Sequence, residues 1–156
     1  MALTMTDDTV DHRKLAVGYF NAAWDLIDLE SRTPEQCRDL LGLALASRQH
    51  WIEAGGTDQN LAVSDWQVAY AASLGGFGNL ALSFAQAAVD RAEAAAAPTW
   101  MKASVHEGLA RAYAAVGDRA AYQHEADITR DLLAQVDDKD DRELVASQLE
   151  SIPVPS

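Results

Sequence analysis

Chemically versatile side chains are densest around the first glycine pair of this sequence. Arg48, His50 and Trp51 precede Gly55-Gly56, and Asp65 and Trp66 follow them. A bend at the glycines would bring a guanidinium, an imidazole, a carboxylate and two indoles together. With His106 these residues form a candidate pocket wall for a flat or cationic ligand, because aromatic faces attract cations. A structural alternative stands beside it. In that reading the tryptophans are core, His50 caps carbonyls at a helix end, and Arg48 pairs with Asp65.

Other constellations are incomplete. His106-Glu107 and His124-Glu125 each open half of a zinc-hydrolase pattern, which needs a second histidine four residues on. Ala110 and Ile128 stand there instead. The acidic run Asp137–Glu143 lacks the glycine that a calcium loop places at its sharp turn. Its acids suit the positive end of a helix dipole. Cys37 falls in the first turn of an expected helix, where a thiol pKa is lowered. It shares an apolar stripe with Leu40 and Leu41, however, and has no histidine nearby in sequence. We therefore expect no catalytic set, no metal and no cofactor.

The elements that position these residues read as helices. With 156 residues and 49% hydrophobic content, the chain fits one globular domain. A formal net charge of −12 disfavours nucleic acid and anionic membranes. One cysteine excludes an internal disulfide framework. The first residues lack a basic segment followed by an apolar run, and no stretch reaches the length of a membrane span. A cytoplasmic location is the expectation.

Residues 1–10 read as a flexible polar tail, 11–152 as one helical domain, and 153–156 as a short C-terminal tail. Val17, Phe20, Trp24 and Ile27 share a face of the first helix. Thr33-Pro34-Glu35-Gln36 carries a capping box with proline at the first helical position, so a second helix starts there. Gly55-Gly56 end it. Thr57 or Asp58 caps a third helix, apolar on two sides and so sandwiched between neighbours. Gly75-Gly76, Pro98, Gly117-Asp118 and the acidic run delimit four more helices. No segment alternates like a strand, and the fold class is all-α.

Leu109, Tyr113, Gly117 and Asp118 are spaced as in the first helix and turn of a tetratricopeptide repeat, with Ala110 where that pattern has glycine. A weaker copy runs from Trp66 through Gly76 to Ala81 and Ala88. The chain thus resembles tetratricopeptide-repeat proteins, although Gly76 and Gly117 lie 41 residues apart against ~34 in the standard repeat. It is also similar to a set of small uncharacterised bacterial proteins, most densely at 46–51, 65–67 and 109–114. The resemblance implies a right-handed superhelix of about three antiparallel hairpins plus a C-terminal capping helix. It also implies a concave groove, where register places Trp66, Tyr70, Glu107 and Arg111, with Asp65 and Ala69 as alternates on the third helix. The expected function is a non-catalytic binding module for a peptide or protein, a basic one or a second copy of the chain included. The alternative is a sensor or enzyme that binds a small molecule or metal between the second, third and fifth helices.

Overall fold

The computed structural model describes residues 9–156, so the expected tail over 1–10 lies almost entirely outside it. Seven helices account for the ordered backbone, and the described residues contain no strand. They are α1 (His12–Ile27), α2 (Pro34–Glu53), α3 (Asp58–Leu74), α4 (Gly78–Ala94), α5 (Thr99–Ala115), α6 (Arg119–Leu133) and α7 (Lys139–Glu150). None is long and apolar enough to cross a membrane.

Local chemistry sets the starts. The Thr33 hydroxyl accepts from the Gln36 amide at 3.2 Å, while the Gln36 side chain accepts from the Thr33 amide at 2.9 Å. Thr57 and Asn60 form the same reciprocal box ahead of α3. Asp118 and Asp138 cap α6 and α7 through their carboxylates. Asp140 and Asp141 then occupy the first turn of α7, where the helix dipole favours negative charge.

Consecutive helices pack side by side, and each odd-numbered helix also touches the next odd-numbered one. Among the described residues, the even-numbered helices do not touch one another. α3 is therefore surrounded, and every residue from Ser64 to Ala72 along it is buried. Small residues permit the close approach: Ala81, Ala85, Ala88 and Ala92 line the buried side of α4. The main apolar core spans α1 to α5, and two smaller clusters join α5 and α6 to α7.

A structural period of 41 residues runs through this packing. α5 begins 41 residues after α3, at Thr99 against Asp58, and α6 begins 41 after α4, at Arg119 against Gly78. The ends of α2, α3, α4 and α5 share one closure, in which the second amide past the C-cap bonds back five residues. The bonds are Gly56 to Trp51, Phe77 to Ala72, Ala97 to Ala92 and Asp118 to Tyr113. The closure needs a left-handed residue, supplied by Gly55, Gly76 and Gly117 at φ 68°, 81° and 79°. At the fourth turn Ala96 takes that role at φ 47°, with a Cβ that the left-handed region penalises. Ala96→Gly should therefore stabilise the protein by about 0.5–1 kcal/mol, net of the extra freedom glycine gives the unfolded chain. That corresponds to roughly 1–4 °C in a thermal melt; an unchanged or lower midpoint would show that the strain at Ala96 does not exceed the entropic cost of glycine.

Candidate binding groove

The odd-numbered helices enclose a half-open cavity of about 890 Å³. α1 contributes Phe20 and Trp24, α3 contributes Val63, Trp66 and Tyr70, α5 contributes Trp100, Met101 and Val105, and α7 contributes Leu144 and Val145. Three of the four tryptophans thus face one space. Trp24, Trp66 and Tyr70 form a packed trio with ring centroids 5.6–5.8 Å apart, tilted or edge to face. Trp100 and Leu144 are 39% and 58% exposed, so apolar surface stays open to solvent at the groove's edge.

Behind the aromatic wall lies a buried ion pair. Glu107 is fully buried, and its Oε1 accepts from Arg111 Nε at 3.0 Å and Nη2 at 2.7 Å. The Trp66 indole N–H donates to Glu107 Oε2 at 3.4 Å. Arg111 Nη2 also reaches the Gln148 carbonyl at 2.7 Å and the Ser151 hydroxyl at 2.9 Å. The guanidinium carbon lies 4.0 Å from the Tyr70 ring centroid, a cation–π contact. One ion pair on α5 thereby holds α3 on one side and α7 on the other. Burial pushes the Glu107 carboxyl up from its ordinary value, against the opposing pull of Arg111. Burial likewise raises the Tyr70 phenol, with Arg111 acting the other way.

Of the groove residues expected from register, Trp66, Tyr70 and Arg111 line the cavity. Glu107 does not. It sits behind the wall as Arg111's counter-ion, because its own helix turns it toward Trp66 and away from solvent. Gly108 explains the fit, since a Cβ there would lie 2.6 Å from Trp66 Cδ1. The indole rests on bare backbone.

The alternative pocket between α2, α3 and α5 is not assembled. Arg48, His50, Trp51, Asp65 and His106 fall in four separate places, because successive residues point about 100° apart around a helix. Arg48 bonds the buried Asp65, whose second oxygen accepts from Arg91 Nε at 2.9 Å; this is the structural pairing. His50 faces α1, with its Nδ1 2.8 Å from His12 Nδ1 and its ring stacked on Tyr19. Trp51 lies beneath the Arg13 guanidinium. His106 turns outward to Glu125 on α6 at 2.7 Å. Sequence reasoning does not single out Trp24 and Trp100 as groove walls. Trp24 carries a usable signal in its i,i+4 spacing from Phe20, but that stripe reads equally as core.

No protein-family model, curated protein or solved structure matches the chain.

Two predictions test the buried network. Arg111→Met leaves Glu107 buried without a counter-ion and should lower unfolding free energy by about 3–5 kcal/mol. Replacing both, as Glu107→Leu with Arg111→Met, should recover most of that loss in urea denaturation. A single-variant cost below ~1 kcal/mol would show that the pair is not structural. For Tyr70, a raised folded pKa means that the unfolded chain releases the phenolic proton first. The associated stability is present below pH ~10 and is lost as pH rises above it. In an absorbance titration of the folded protein, a component should ionise above the ordinary tyrosine value, and Tyr70→Phe should remove that component.

Proposed function

We propose that this chain is a non-catalytic binding module whose groove between α1, α3, α5 and α7 holds a segment of a peptide or protein partner. The observation that carries the reading is the aromatic-walled cavity of about 890 Å³ with exposed apolar side chains at its edge. Exposed apolar surface of this kind marks interaction sites, since solvent contact is unfavourable until a partner covers it. The titratable groups nearest the aromatic trio, Glu107 and Arg111, are joined to each other and to backbone. They are built to hold helices, not to exchange protons with a ligand.

The packing order supports the fold half of this reading. Odd-numbered helices in contact and even-numbered ones apart are what a tetratricopeptide-like superhelix of three hairpins and a capping helix requires. In such a stack the mutually touching helices line the concave side. A second reading, a small apolar ligand, is favoured by the cavity volume, which lies within the range of small-molecule sites.

Trp100 and Leu144 are exposed enough to be changed without disturbing the core. Trp100→Ala with Leu144→Asp should abolish capture of partner proteins from native lysate while shifting the melting midpoint by less than ~3 °C. Undiminished capture would place the binding surface elsewhere. Native mass spectrometry that shows a bound small molecule in the purified wild type, and not in the variant, would establish the second reading instead.

A further inference from the structure

The charges around the groove are not balanced by one another. Asp28, Glu30 and Asp141 line it, and none has an ion-pair partner among the described residues. Two arginines also line it, but both are already engaged. Arg32 Nη1 donates to the carbonyls of Leu26, Ile27 and Leu29, closing the end of α1. Arg111 is held by Glu107, Gln148 and Ser151. Arg142, next to Asp141 in the chain, donates to the Val136 carbonyl. Outside the Glu107–Arg111 pair the groove therefore presents three unpaired carboxylates against one guanidinium, Arg32, whose Nη1 is spent on carbonyls, in a chain of net charge −12.

Asp28 follows Trp24 by four residues, so the carboxylate stands one turn beyond the indole at the end of α1. Both line the cavity. A lysine or arginine side chain suits such a pair: its alkyl stem covers the ring while its head meets the carboxylate. On the other wall, Asp141 and the exposed Leu144 lie within one turn of α7 and repeat the pairing of acid and apolar group.

Resting on the binding-module reading, we infer that the groove's occupant is a basic amphipathic peptide segment, with apolar side chains against the tryptophans and lysine or arginine against Asp28, Glu30 and Asp141. A second copy of this acidic chain is a poor electrostatic match. The first eight residues carry Asp7 and Asp8 and no basic side chain, so they are no better.

The test is selection of a displayed library of random 12-residue peptides on the wild-type protein. The enriched peptides are then measured on a rim-neutralised variant (Asp28→Asn, Glu30→Gln, Asp141→Asn) and on Trp100→Ala/Leu144→Asp. Enriched sequences should combine lysine or arginine with leucine, phenylalanine or tryptophan. They should bind the neutralised variant about tenfold more weakly, the sum of three modest surface pairs. On wild type their affinity should fall as salt rises from 0.1 M to 0.5 M. Neutral or acidic peptides that bind the groove and ignore both the rim variant and salt would overturn the basic occupant and leave the groove standing. Peptides that bind Trp100→Ala/Leu144→Asp as well as wild type, or no enrichment at all, would overturn both.

Discussion

A charge buried in a helical stack must be answered in place, and the Glu107–Arg111 pair is answered on three helices at once. Removing two ions from water costs several kcal/mol each, which only close geometry and further hydrogen bonds recover. Here the carboxylate takes two bonds from Arg111 and one from Trp66, and the guanidinium reaches Gln148, Ser151 and the face of Tyr70. Apolar packing alone is non-directional, so it sets the register of α3, α5 and α7 less sharply than fixed hydrogen-bond partners do. The aromatic wall is consequently held in position from behind, leaving its front face bare.

The same network shows how a 41-residue period becomes a surface. Trp66 and Glu107 are 41 positions apart and bond to each other, as do Tyr70 and Arg111 through the cation–π contact. Equivalent positions on successive odd-numbered helices thus stack as neighbours. Gly108 admits the indole between them, since any side chain there would collide with Trp66. Asp65 has a comparable role in the adjoining layer, where Arg48 and Arg91 tie α2 and α4 to α3.

How far this is legible in the sequence depends on the range of the physics involved. Thr33 with Gln36, the glycines at 55, 76 and 117, and the acids ahead of α7 act within a few residues, so they declare helix boundaries directly. The 41-residue spacing is likewise visible from Gly76 and Gly117 alone. The walls of the groove are visible in part, because register carries Trp66, Tyr70 and Arg111 onto one side. Register assigns Glu107 to that side too, and only tertiary packing shows it to be the hidden member of its pair. The cluster of Arg48, His50, Trp51 and Asp65 misleads for the opposite reason. Closeness in sequence says little about shared direction when a helix turns each side chain by about 100°. Arg48 and Asp65 find each other, while His50 and Trp51 turn to separate partners on or beside α1.

Because neighbours in this stack are matched by counting along the chain, the fold behaves like a device kept in phase. One residue inserted within α5 ahead of Glu107 would turn the rest of that helix by about 100° relative to its first turns. Trp66 would then face something other than Glu107, and Tyr70 something other than Arg111, although neither had changed. The Ala134–Asp138 connector lies between helices, so an added residue there can be taken up as loop while α7 keeps its register against Arg111. Length variation should accordingly be tolerated at that joint and rejected inside the helices before it, a selection on spacing that acts independently of side-chain identity.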